Sequence, residues 1–249
     1  MHKSPLTTEH CGLRLSAHVR ACAIDHQVIL LDLRANRYVG IGGAASAALA
    51  ERVEGWPAQA SASVPLFKDT APDKLAQHLV SQGLLTDCEQ EPFRACVVAR
   101  APDEPTASLD LADITLQSTA GAPRLAGFLT CAVRTAWWLR SRSLQSIATI
   151  ISSRRARSNV KTDAGELAHL KQCAAVYERL RPLLLTAQER CLFDSLALTN
   201  FLATEGLFPQ WIIGVKTAPF GAHSWVQAGS TVLNDQHDYV RRFRPILVA

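Results

Sequence analysis

Residues 186–206, TAQERCLFDSLALTNFLATEG, and the stretch 211–235, WIIGVKTAPFGAHSWVQAGSTVLND, decide how this chain is read. The first opens with Thr186-x-x-Glu189, a pattern in which two side chains satisfy orphan amides at a helix start. It predicts a helix running to Gly206. The second stretch changes period: 211–215, 223–226 and 231–233 are short β-rich runs separated by turn residues. Cys191 therefore lies in the first turns of a helix, and His223 opens a strand 32 residues later. Asp235 follows the next strand, a further 12 residues on.

That order suits nucleophilic chemistry. A free thiol is mostly protonated at neutral pH, and both a helix N-terminus and a neighbouring imidazolium favour its anion. The imidazole in turn needs an acceptor on its second nitrogen, which Asp235 can supply. Spacing alone does not choose among the neighbours. Asp194 lies one helical turn from Cys191, His237 follows Asp235, and Ser195 and Ser224 add two hydroxyls. A helix-start cysteine, a histidine beside Trp225 and an aspartate after Asn234 also have structural uses, as core residues and turn formers.

The local sequences go further. Arg190-Cys191-Leu192, Ser195-Leu-Ala-Leu198, Ile213-Gly-Val215, Pro219-Phe220, Ala222-His223, Trp225-Val226 and Leu233-Asn-Asp235 resemble one family, the lasso-peptide B proteins. These are leader peptidases whose C-terminal domain is transglutaminase-like. The resemblance is specific over 185–246, and over 120–185 it lies in helical character and length. It implies catalytic roles for Cys191, His223 and Asp235. It implies hydrolysis of a precursor peptide at the leader–core junction, freeing the core's α-amine. An ATP-dependent asparagine-synthetase-like partner would then close the macrolactam. Two rival readings share these residues: a transglutaminase-type acyl transferase, and a precursor-binding chaperone without activity.

Upstream, 13–41 predicts strands. Within it, 27–33 and 37–41 are β-rich around a turn at Arg34-Ala35-Asn36. An alanine-rich helix follows over 44–53, and Asp73 caps another that runs through Leu79 and stops at Gly83. Strands followed by two helices predict a winged-helix-like unit. In the family such a unit binds the leader as an added strand. Here the strand with Arg37, Tyr38, Val39 and Ile41 is the candidate edge, and Leu75 and Leu79 wall the pocket or serve as core. Pro92, Pro102, Pro105 and scattered acids predict a linker with one short strand at 96–99. Helices are expected over 125–139, 144–151 and 163–185.

The expected fold is α+β. A winged-helix-like peptide-recognition domain (1–90) and a linker (91–122) precede a transglutaminase-like, papain-like cysteine peptidase domain (123–249), with helices followed by short antiparallel strands. Composition agrees with a folded chain: 48% of residues are hydrophobic and 19% charged, at a net charge of +4. The one dense basic cluster (Arg140, Arg142, Arg154, Arg155, Arg157, Lys161) is read as a solvated helix face, and no nucleic-acid partner is expected. Seven cysteines, odd in number and without a C-x-x-C pair, argue against a disulfide framework and a zinc site. No phosphate-cradling glycine loop is present, so no cofactor is expected, and any nucleotide dependence comes from a partner. MHKSPLTTEH lacks the apolar core of a signal peptide, and Arg134 interrupts the longest apolar stretch. A cytoplasmic protein without a transmembrane segment is expected.

Overall fold

The computed structural model describes residues 12–57, 72–87, 102–112, 114, 122–157, 164–183 and 191–249. The chain divides into two compact units, Met1–Asp32 with Arg37–Val97, and Leu33–Asn36 with Val98–Ala249. Both mix helices and sheets.

In the first unit the strands are β1 (Leu13–Leu15), β2 (Val19–Ile24), β3 (Gln27–Asp32) and β4 (Arg37–Ile41). Helix α1 (Gly43–Ala50), β5 (Val53–Glu54), α2 (Pro72–Ser81) and β6 (Leu85–Asp87) follow. β2, β3 and β4 form an antiparallel meander in that order. The β2–β3 turn holds Asp25 and His26 at φ +44° and +64°, the paired left-handed conformation that matches the twist of a two-residue hairpin. β1 joins β5 in parallel and β6 antiparallel in a second small sheet. Val28, Leu30, Leu49, Trp56, Leu79 and Leu84 are buried in one apolar cluster, with Val39 and Leu75 partly buried against it. Inside it Trp56 Nε1 donates to the buried Ser46 Oγ at 2.9 Å.

Among the expected leader-binding residues, Ile41 and Leu79 are therefore core. Arg37 reaches back to Asp32, Nε to Oδ2 at 3.3 Å. β4 is the terminal strand of its sheet among the described residues.

The second unit opens with β7 (Ala107–Ser108), inside the stretch expected as a linker. α3 (Ala122–Ser141), α4 (Leu144–Arg157), α5 (Ala164–Leu180) and a 3₁₀ turn (Arg181–Leu183) follow. Then come α6 (Cys191–Thr204), β8 (Gln210–Thr217), β9 (Phe220–Ala228), β10 (Thr231–Val232), α7 (His237–Val240) and β11 (Arg244–Val248). The sheet order is β11-β8-β9-β10-β7, antiparallel except for the β10–β7 pair. The linker reading thus needs correction at 107–108, where the chain adds an edge strand to this sheet. Two residues in a proline-rich setting carry no periodicity that betrays a strand. β11 was likewise not anticipated, because Arg244-Pro245 masks a short buried run. The strand expected at 96–99 and the capping box at Thr186–Glu189 lie outside the described residues.

α6 is the hub. Residues 194–202 are all buried, so the helix is enclosed on every side, by α3 and α5 and by the sheet at β8 and β9. Its polar side chains find internal partners, as buried groups must. Thr199 Oγ1 donates to the Ser195 carbonyl at 2.7 Å, and Asn200 Nδ2 to Thr135 Oγ1 at 3.0 Å. Asn200 also accepts from two arginines, through its carbonyl from Arg134 (3.1 Å) and through Oδ1 from Arg154 (3.3 Å). Both guanidiniums lie over the Trp138 ring. Arg154 of the basic cluster is thus part of the packing between helices. The α6 chain turns out through Gly206 at φ +77°, with Leu207 N–H on the Leu202 carbonyl at 3.0 Å.

Candidate active site

Cys191 is the first described residue of α6, on the N-terminal side of the helix, where the helix dipole favours negative charge. His223 lies inside β9, three residues further along than a strand opening at 223 would put it. It stands opposite Gly214 of β8. A side chain at Gly214 would not fit: a Cβ there would approach the Trp225 ring to 2.8 Å and Phe243 Cβ to 2.9 Å. The imidazole is boxed by aromatics, stacked with Trp225 and flanked by Tyr239 and Phe243 at ring-centroid separations of 5.1 and 5.2 Å. Such packing leaves the ring little freedom.

The His223 Nε2–Asp235 Oδ2 separation is 2.7 Å. With Nε2 on the carboxylate, Nδ1 remains for Cys191, to which His223 is also hydrogen-bonded. Burial alone would push the thiol's pKa up and the imidazole's down. For Cys191 the hydrogen bond and charge of His223, together with the Ser224 and Leu192 backbone, reverse this and bring the thiol below its ordinary value. For His223 burial is outweighed by Asp235 and Cys191, which raise it to about 9. The buried thiols of Cys131 and Cys173 move the other way, because desolvation dominates there. Cys191 is therefore set apart from them by its surroundings.

This arrangement predicts a pH dependence. At pH 6, haloacetamide should alkylate Cys191 well ahead of Cys131 and Cys173, as peptide mass mapping would show. Its rate should fall as acid protonates the thiol, and should not fall as pH rises through about 9, since loss of the imidazolium proton leaves the thiolate in place. Equal modification of the three thiols at pH 6 would contradict the lowering of the Cys191 thiol.

The neighbours that competed in the sequence have other work. Asp194 receives Tyr177 Oη on Oδ1 at 3.1 Å, and Arg181 and Asn234 on Oδ2 at 3.0 and 3.1 Å. His237 Nδ1 pairs with Ser108 Oγ at 3.0 Å, and its ring faces Asp238. Ser195 and Ser224 bond each other at 2.8 Å, linking α6 to β9, and Trp211 Nε1 donates to Ser195. Among the carboxylates considered, Asp235 is the one on His223.

A cleft of about 520 Å³ lies in front of these groups, lined by Cys191, His223 and Asp235 and, beyond them, by Glu178, Arg181 and Tyr239. Glu178 is raised to about 7 by burial, against the pull of Arg181. Its Oε1 is buried without a hydrogen-bond partner among the described residues. Glu178, Arg181, Asn234 and the aromatic box were missed in the sequence. Only Asn234, beside Asp235, carried a local signal there, and it read as a turn former.

Residues 129–248 match the family model of the transglutaminase-like superfamily. This part of the chain is a transglutaminase-like domain. A 45-residue stretch is 44% identical to the microcin J25-processing protein McjB of Escherichia coli. The match spans 18% of this chain and 22% of that protein's length. No solved structure matches the chain. The transglutaminase-like domain holds Cys191, His223 and Asp235 on α6, β9 and the β10–α7 connection.

Elsewhere in the domain, His169, Cys173 and Glu205 bring ligand-type atoms within 4.8 Å of one another, with Cys173 Sγ 3.8 Å from His169 Nε2. The Cys173 thiol is raised to about 11 by burial and by Glu205, and Arg124 adds a positive charge nearby. No described helix is long and apolar enough to cross a membrane.

Proposed function

We propose that this protein is the leader peptidase of a lasso-peptide pathway, cutting a ribosomal precursor at its leader–core junction. One observation carries the reading: a lowered thiol at a helix start, hydrogen-bonded to an imidazole whose other nitrogen lies 2.7 Å from a carboxylate, within a transglutaminase-like domain. Similarity to a microcin-processing protein over 45 residues supports this substrate class.

In this reading the Cys191 thiolate attacks the carbonyl carbon of the last leader residue. The backbone N–H of Cys191 stabilises the oxyanion. His223 protonates the departing amine from Nδ1, which releases the core peptide and leaves a thioester on Cys191. Water, deprotonated by His223, then attacks the thioester. This frees the leader acid and regenerates the thiol. Asp235 keeps the Nε2 proton in place throughout. Cleavage needs the imidazolium, so unlike alkylation it should decline above about pH 9. The freed α-amine would be consumed by an ATP-dependent, asparagine-synthetase-like ring-forming enzyme, and the reaction is placed in the cytoplasm.

Residues 1–90 are assigned to leader recognition as a winged-helix-like unit and 123–249 to catalysis, with 91–122 connecting them and adding β7 to the catalytic sheet. The terminal position of β4 supports docking of the leader along Arg37, Tyr38 and Val39, with Ile41, Leu75 and Leu79 packed beneath. Proline in an edge strand removes a ladder donor without adding charge. Val39→Pro should therefore weaken binding of a labelled leader peptide strongly, while a short core-only peptide is handled no worse. Fluorescence titration of the full-length variant, beside its melting curve, checks this. Unchanged leader affinity in a folded variant would remove β4 as the docking edge.

A further inference from the structure

Asp235 sits in the short connection between β10 and α7, where no ladder fixes its position. Its own contacts are Oδ2 on His223 and Oδ1 accepting the Gln236 N–H at 2.7 Å. The residue before it is held from both ends. Asn234 Oδ1 accepts the Val226 N–H at 2.9 Å, and Asn234 Nδ2 donates to Asp194 Oδ2 at 3.1 Å. Val226 lies three residues beyond His223 on β9, and Asp194 lies one helical turn beyond Cys191 on α6. A single amide thus ties the turn carrying the carboxylate to the strand carrying the imidazole and to the helix carrying the thiol.

We propose that the Asp194–Asn234 pair is a positioning clamp that holds Asp235 on His223. The inference rests on the peptidase reading of Cys191, His223 and Asp235. The clamp is itself braced. Tyr177 Oη donates to Asp194 Oδ1, and Arg181 bridges Asp194 Oδ2 and Glu178 Oε2 at 3.0 and 3.1 Å. Asp194 is 2% exposed and Asn234 7%. Packing alone does not require a buried carboxylate facing an amide, and an apolar pair of like volume would fill the same space. A satisfied polar network instead specifies one relative placement of the elements it joins. Neither residue reacts in the proposed mechanism. They act through Asp235, and their loss should show first in the ionisation of Cys191.

The test uses the full chain and needs no precursor. The rate of Cys191 alkylation by iodoacetamide is followed against pH by peptide mass mapping, beside a melting curve. Asn234→Ala, which changes no charge, should raise the apparent thiol pKa by about one unit and so lower the rate in the acid limb about tenfold. Thr199→Val, which removes another buried polar group of α6 outside the clamp, should leave the wild-type profile unchanged. Should Asn234→Ala not fold, Asn234→Ser is read in the same way. A folded Asn234 variant with an unchanged profile, or a Thr199→Val profile shifted as far, would overturn the clamp. A wild-type profile like that of an ordinary thiol would instead remove the reading on which the clamp rests, and so is distinguishable.

Discussion

Cys191→Ala should abolish precursor cleavage while leaving leader affinity unchanged, the largest effect expected of any single substitution here. The methyl group can neither attack a carbonyl nor carry an acyl group, and the proposed leader dock belongs to the other compact unit. Cys191→Ser should be nearly as inactive. A hydroxyl is a far weaker acid than a thiol, and one imidazolium at a helix start does not make it an anion at neutral pH. Chromatography of the precursor digest gives the rates, and fluorescence titration gives the affinity. Appreciable turnover by Cys191→Ala would remove the cysteine mechanism. Loss of leader binding would remove the division of labour between the units.

Asp235→Asn should be the next most damaging change, with a loss of roughly four orders of magnitude in turnover and little change in melting temperature. The carboxylate accepts from Nε2 at 2.7 Å and, with Cys191, raises the imidazole to about 9. An amide there presents either an N–H to the ring, forcing the wrong tautomer, or a neutral oxygen that stabilises the imidazolium less. The imidazole's pKa should therefore drop, and the cleavage optimum should narrow from its alkaline side. Single-turnover kinetics across pH would check both points. A small loss with an unshifted alkaline limb would mean that another group orients His223.

The order of elements from α3 to β10 was legible in the sequence because its signals are local. Period change, β-rich runs and turn residues mark α6 and the strands that follow, and the helices upstream are long enough to show their apolar faces. Cys191, His223 and Asp235 were legible for a different reason: their local sequences resemble a known family, whereas their spacing left Asp194 and His237 as alternatives. What excludes those two is long-range. Asp194 is engaged by Tyr177, Arg181 and Asn234, and His237 by Ser108, which is 129 positions away in the chain. No local window contains those partners. The same limit hid β7, a two-residue strand that exists only because β10 is beside it. It also hid the role of Asp194, which in the sequence was one more candidate partner for the histidine. In the fold, Asp194 Oδ2 takes two donors, and an amide nitrogen in that place would face both.

The N-terminal hairpin was legible for its turn at 34–36 and for the β-rich runs on either side of it. Its surface was not. Ile41 read as part of the edge strand and Leu79 as pocket wall or core, since apolar periodicity does not say which elements will cover a face. Burial within one cluster settles their position.

The central claim is that Cys191 delivers the leader's acyl group to water. Digestion of the precursor in ¹⁸O-labelled water, followed by mass spectrometry of the released leader, tests it most directly. One heavy oxygen in the leader's new C-terminal carboxylate, absent when Cys191→Ala replaces the wild type, is the predicted result. A leader joined to an amine and free of label, or labelled leader released equally by Cys191→Ala, would contradict it.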